Sequence, residues 1–262
     1  MAESEAMNQE ALNEENKTHE YANGCHYDGQ WRANRRHGTG TFKWPSGTTY
    51  AGEFRNDRRH GHGKIIYADG TKYEGEWRND QRNGKGKFSW LDGSNYEGDF
   101  RDDTMHGEGV FTWESQSSYS GSWRHNKKYG QGKMVYKDQS VYIGSWKDDK
   151  RDGEGTMTWR NGTQYEGEFL DDVKHGQGTY TWPNHCKYIG AWDMGKRSGI
   201  GTCTYPDGSE YQGSFKNNLK EGNGEFKFKD GSTYLGTWKN DLKDGNGTFT
   251  WADGNKFTGD WK

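Results

Sequence analysis

The stretch Tyr73–Asn95, "YEGEWRNDQRNGKGKFSWLDGSN", is followed without a gap by "YEGDFRDDTMHGEGVFTWESQSS", Tyr96–Ser118. The two align residue for residue, and their fixed points are aromatic rings and glycines, the largest and smallest of side chains. The opening ring recurs at Tyr27, Tyr50, Tyr73, Tyr96, Tyr119, Tyr142, Tyr165, Tyr188, Tyr211, Tyr234 and Phe257, always 23 residues apart. Ten full repeats therefore precede a partial one, "FTGDWK", that starts at Phe257. A fixed period of this size marks an array in which each unit packs on its neighbours.

Counted from the Tyr, positions 1, 3 and 5 are Tyr, Gly and Trp or Phe; 12 and 14 are Gly; 16 and 18 are mostly aromatic or apolar. In Tyr73–Asn95 these are Tyr73, Gly75, Trp77, Gly84, Gly86, Phe88 and Trp90. Two runs that alternate with period two, separated by turn-rich segments, predict two strands per repeat. Asp92-Gly93 suits a three-residue hairpin loop with Gly93 in the left-handed region, and Asn79–Asn83 forms the other loop. The expected fold is all-β: an elongated, single-layer antiparallel meander of about ten and a half hairpins. Strand spacing of about 4.8 Å gives it roughly 100 Å of length, and twist makes it a trough.

The expected register pairs Trp77 with Gly84, Gly75 with Gly86 and Tyr73 with Phe88 within the hairpin. Across the Asp92-Gly93 turn it pairs Trp90 with Tyr96, Phe88 with Gly98 and Gly86 with Phe100. Each position-5 ring then covers glycine backbone on both neighbouring strands. The other face, with Lys85, Lys87 and Ser89, is polar.

Composition agrees with an array. Only 28% of the 262 residues are hydrophobic, but 15% are aromatic, so the apolar material sits in a few large rings. A net charge of −3 argues against a general polyanion binder, and no nucleic-acid partner is expected. Cys25, Cys186 and Cys203 are odd in number and form no CxxC, which favours free thiols in a reducing compartment. No apolar run approaches membrane-spanning length, and the start of the chain is acidic, without the apolar core of a leader. The expected organisation is an acidic, flexible segment over residues 1–22 and the array over 23–262, in the cytoplasm.

The pattern YxGxW, GxG and DG at 23-residue intervals resembles the MORN (membrane occupation and recognition nexus) repeat family, over Tyr27 to Lys262. The resemblance implies a hairpin sheet that acts as a non-enzymatic scaffold or adaptor. It is strongest to short all-repeat proteins such as radial spoke head subunits, which implies a cilium or flagellum axoneme and other axonemal or cytoskeletal proteins as partners. A second MORN chain is an alternative partner. A peripheral adaptor that binds anionic membrane weakly, or an acidic cytoskeletal partner, through a basic edge is the runner-up.

Three groups of residues are candidate binding sites. Tyr73, Trp77, Trp90, Tyr96 and Phe100 represent the aromatic trough, a one-sided apolar surface larger than monomers usually leave open. Val173, Leu219 and Leu242 stand at position 9, where earlier repeats carry Arg, Gln, Thr or Lys; with the open edge of the last strand they predict docking near the C-terminal repeats. Arg32, Arg35, Arg36, Arg55, Arg58 and Arg59 form the basic edge, read either as a solvated guard against aggregation or as a contact for acidic protein or lipid.

The remaining motifs carry no chemistry. His37, His60, His106 and His175 share position 11, but two strands, about 10 Å, separate successive copies, so they read as solvated turn residues, not zinc ligands. GxG recurs inside strands with no helix following, which excludes a phosphate loop. No catalytic constellation, metal site or cofactor is expected. Where Asp-Gly becomes Ser115-Gln116, Asp138-Gln139 or Asn184-His185, a change of turn type is expected.

Overall fold

The computed structural model describes residues 15–262, so residues 1–14 of the acidic segment lie outside it. Among the described residues the regular structure is twenty-two β-strands, an all-β antiparallel meander. The chain divides into two compact units, Met1–Tyr129 and Gly130–Lys262.

One repeat explains the rest. Lys72–Arg78 and Gln81–Ser89 are its two strands, and Asn95–Arg101 begins the next. The loop expected over Asn79–Asn83 contracts to two residues. Arg78 pairs with Gln81, while Asn79 and Asp80 take φ of 50° and 69°. Two successive left-handed residues match the right-handed twist of the flanking strands, and Asn and Asp tolerate that region best after Gly.

The second turn is the three-residue loop expected. The Trp90 N–H donates to the Ser94 carbonyl at 2.9 Å, and Gly93 has φ of 89°. Its Asp92 carboxylate accepts the Ser94 N–H at 2.8 Å. Gln116, Gln139 and His185 take the glycine's place at φ of 66°, 71° and 67°, and the hydrogen bonds are unchanged. The expected change of turn type does not occur: the side-chain-bearing residues adopt the left-handed conformation of the glycine they replace.

Register is half as expected. Tyr73–Phe88 and Gly75–Gly86 pair as predicted, but Trp77 faces Arg82, not Gly84. A bulge intervenes, with Glu76 opposite the three residues Asn83–Lys85. Gly84 sits there at φ of 80°, and a Cβ on it would strike the Glu76 carboxylate. That carboxylate accepts the Lys85 N–H at 2.8 Å, which the bulge would otherwise leave unpaired. Across the three-residue turn the partners are Phe88–Tyr96, Gly86–Gly98 and Gly84–Phe100, two residues away from the expected register. The loop excludes only Leu91–Gly93, so Trp90 is already used by Ser94.

The glycines therefore pair with one another in a row across the strands, Gly63–Gly75–Gly86–Gly98–Gly109 in the first unit. The ring that covers them is the position-1 Tyr, not the position-5 ring. A Cβ on Gly86 would run into the Tyr73 ring, and the Tyr73 hydroxyl donates to the Glu76 carbonyl at 2.8 Å. Tyr73 meets Trp77 edge-to-face at 5.2 Å and Phe100 of the next repeat at 5.1 Å. The Trp77 indole N–H reaches back to the Gly63 carbonyl at 3.0 Å. Each repeat is thus tied to both neighbours by ring contacts worth about 0.5–1.5 kcal/mol beyond area burial.

The segment expected to be flexible contains a strand. Glu15–Glu20 pairs with His26–Arg32, and Lys17 supplies the carbonyl that accepts the Trp31 indole N–H at 2.9 Å. His19 and Tyr21 take the places filled elsewhere by Phe88 and Trp90. Without this half-hairpin Trp31 would have one side bare, so it acts as the cap that a repeat array requires.

Candidate functional site

The bulge decides which rings are core and which are surface. Because it brings position 10 onto the ring face, Arg36, Arg59 and Arg82 extend over the aromatic rows. Arg59 lies 4.2 Å from the Trp77 ring centre, Arg36 4.7 Å from Phe42 and Arg82 5.1 Å from Phe88. Each guanidinium is also anchored by the Asp of the next hairpin's tight turn: Arg36–Asp57 at 3.4 Å, Arg59–Asp80 at 3.1 Å and Arg82–Asp103 at 3.0 Å. A cation over a ring and a charge-assisted hydrogen bond act at once.

Tyr73, Trp77, Tyr96 and Phe100 are consequently buried, none more than 4% exposed. The expectation that they line an open trough is corrected: these rings are the core. Trp90 is half-exposed and belongs to a different set. It stands 4.5 Å from Phe88 and 5.1 Å from Phe111, which in turn meets Trp113 at 4.6 Å. Rings at position 18 thus form the accessible aromatic strip, Trp44, Tyr67, Trp90 and Trp113 in the first unit, packed beside largely buried position-16 residues such as Phe42 and Phe88. Burial pushes the phenol of Tyr27 up to about 12 despite Arg36 nearby, so the core tyrosines stay neutral donors.

The predicted basic edge separates into two groups. Arg32, Arg35, Arg55 and Arg58 are exposed and flank the tight turns, Arg32 opposite Arg35 and Arg55 opposite Arg58. Arg36 and Arg59 do not join them, because the bulge turns them onto the rings. Three of the tight turns in the second unit carry apolar residues instead, Leu219 and Leu242 each opposite a lysine, while another keeps Lys147 opposite Lys150. Leu242 is 70% exposed, Leu219 is at the margin of exposure, and Val173 is half-buried opposite the exposed Leu170.

Position 10 of the second unit shows what the anchor does. Arg151 has Asp172 at 3.0 Å, but Lys174 meets Gly195 where the carboxylate would be. Lys174 still lies 4.0 Å from Trp192, and burial, with Arg197 nearby, lowers its ammonium to about 8. The sequence signal was available: a position-10 Arg or Lys is followed 21 residues later by Asp at Arg36, Arg59, Arg82, Lys128, Arg151 and Lys220, by Asn218 at Arg197, and by Gly195 at Lys174.

The polar face of the first unit is a groove of about 900 Å³ lined by Lys64, Glu74, Lys85, Lys87, Glu97 and Glu108 among others. Its charges are matched, with Lys64–Glu74 at 3.0 Å, Lys85–Asp99 at 2.8 Å and Lys87–Glu97 at 3.2 Å. His37, His60, His106 and His175 are in strands, not in solvated turns, and their Nδ1 atoms are buried without a hydrogen-bond partner, that of His175 lying 3.8 Å from the Asp193 carboxylate. Burial, with Arg101 nearby, holds His106 below the ordinary imidazole range. Among the described residues no group of three or more His, Cys, Asp or Glu is placed to hold a metal. Cys25, Cys186 and Cys203 are free thiols.

These features define an open β-meander repeat protein with a sealed ring core. The chain belongs to the MORN repeat family: the family model matches ten consecutive segments, 27–49, 50–72, 73–95, 96–118, 119–141, 142–164, 165–187, 188–210, 211–233 and 234–256. No curated protein matches the chain. Among solved structures it is similar to the SAS-4 TCP domain of Drosophila melanogaster, solved with a proline-rich motif of Ana2, at 12% identity over 68% of this chain and 90% of that one, TM-score 0.38. The TCP10 domain of Danio rerio CPAP shares 12% identity over 93% of this chain and 99% of that one, TM-score 0.34.

Proposed function

We propose that the chain is a non-enzymatic scaffold that binds protein partners in the cytoplasm and serves as a structural component of a ciliary axonemal complex such as a radial spoke head. The family supports the scaffold, since MORN repeats imply protein or membrane binding. The observation that carries the reading is the division of the rings. Positions 1 and 5 are consumed by packing, so the position-18 strip and the hairpin turns are the surfaces left for partners. Half-exposed Trp and Tyr on a rigid support are efficient anchors for a partner segment.

The test is purification of tagged full-length chain from ciliated cells, alongside a Trp44→Ser, Trp90→Ser, Trp113→Ser variant. Axonemal proteins are expected with the unaltered chain and strongly reduced with the variant. Recovery of no axonemal protein, or equal recovery by both, contradicts the reading. The Leu219→Glu, Leu242→Glu variant tests the second-unit turns in the same way.

A further inference from the structure

We propose that the arginine-bearing hairpin turns of the first unit bind an extended, acidic protein segment. The site consists of Arg32, Arg35, Arg55, Arg58 and Arg78. All five are exposed, and no ion pair or hydrogen bond of their side chains occurs among the described residues. Arg32 lies directly opposite Arg35, and Arg55 opposite Arg58, across two-residue turns. Like charges so placed destabilise a hairpin. Among the described residues nothing relieves them. The first turn, Ala33-Asn34, carries no acid, and Asp57 and Asp80 are committed to Arg36 and Arg59. A local cost with no compensation among the described residues points to a binding partner.

The chemistry of that partner follows from residue type and spacing. All five are arginine, whose planar fork grips a carboxylate through two parallel hydrogen bonds, where lysine offers a point charge. Successive turns are two strands, about 10 Å, apart, and an extended chain of the polyproline II type advances about 9 Å per three-residue turn and brings every third side chain to the same face. A segment with a carboxylate at every third residue therefore meets one turn after another. A membrane fits less well. The Asp57 and Asp80 side chains, 45% and 48% exposed, alternate with the arginines and would face an anionic plane, whereas a single strand can run beside them. The site is separate from the aromatic strip, so either can fail without the other.

Fluorescence anisotropy of the full chain with a labelled peptide of repeated Glu-Ser-Gly, five units long, tests the proposal. Saturable binding is expected that weakens about tenfold or more when salt rises from about 0.05 to about 0.3 M, as the Debye length falls. Arg32→Gln, Arg35→Gln, Arg55→Gln, Arg58→Gln is expected to weaken binding at least about tenfold while its thermal midpoint stays equal or rises, because like-charge pairs are removed. Three results overturn the proposal: no binding by the unaltered chain at low salt, equal binding by the Gln variant, or tighter binding to phosphatidylserine-containing vesicles than to the peptide.

Discussion

Arg82 in the first unit and Lys174 in the second occupy the same place over the rings, yet only Arg82 has a carboxylate beside it. The ring packing around them is alike: Arg82 lies over Tyr73, Phe88 and Phe100, Lys174 over Tyr165, Tyr180 and Trp192, and the equivalent Phe100 and Trp192 are both nearly inaccessible. The apolar core is therefore uniform along the array, while the electrostatic tie between successive hairpins is not. The turns differ as well: paired arginines flank two turns of the first unit, while Leu170, Val173, Leu219 and Leu242 enter three turns of the second among lysines such as Lys147, Lys216 and Lys239. One backbone design can thus present different surfaces without repacking its interior.

The largest effects should ignore this division. Trp77→Ala and Trp192→Ala are each expected to cost about 3–5 kcal/mol, the usual penalty for deleting a buried ring. Lys87→Ala, on the solvated face, should change stability by about 0.5 kcal/mol or less. Denaturant melts of the three variants would expose a non-uniform core if the two Trp variants differed by several-fold.

Removing the tie comes next. Asp103→Ala is expected to cost about 1–3 kcal/mol, because the Arg82 guanidinium and its backbone N–H both lose a charged acceptor. The corresponding loss at Gly195 should be negligible by construction, and Gly195→Asp should supply what is missing. Gly195 has φ of 81°, close to the 71° that Asp172 adopts. A carboxylate there should raise the Lys174 ammonium from about 8 toward its unfolded value of 10.5, which side-chain NMR titration would follow. The sign with pH is definite. A lysine whose folded value is lowered opposes folding fully below about 8, and the opposition fades as pH rises to 10.5. Stability of the unaltered chain should therefore gain a contribution over that window, and the gain should shrink in Gly195→Asp.

What the sequence revealed depended on whether a feature changes the spacing of residues. The 23-residue period, the three-residue Asp92-Gly93 loop and the Gly75–Gly86 pair are all legible, since each is set by residue type at a fixed offset. The bulge is not. Two runs that each alternate with period two can be joined with or without extra residues, and both give the same pattern of rings. That single ambiguity placed Trp77 opposite Gly84, put Arg36 and Arg59 on a free edge, and left Tyr73 and Trp77 as an open surface. The capping strand Glu15–Glu20 was hidden for another reason: its acidic composition masks the alternation of Lys17, His19 and Tyr21.

The smallest effect belongs to the turns. Gln139→Gly and His185→Gly should each stabilise the chain by about 1 kcal/mol, because glycine enters the left-handed region without a Cβ penalty. A destabilisation would mean that the side chain makes a contact worth more than the strain it imposes.

Hydroxyl-radical footprinting of tryptophans on the full chain tests most directly which rings are core and which are surface. Trp77, Trp123, Trp192 and Trp238 are expected to remain unmodified, while Trp90, Trp113, Trp159 and Trp251 react readily. Equal modification of Trp77 and Trp90 would contradict the division of rings on which the scaffold rests.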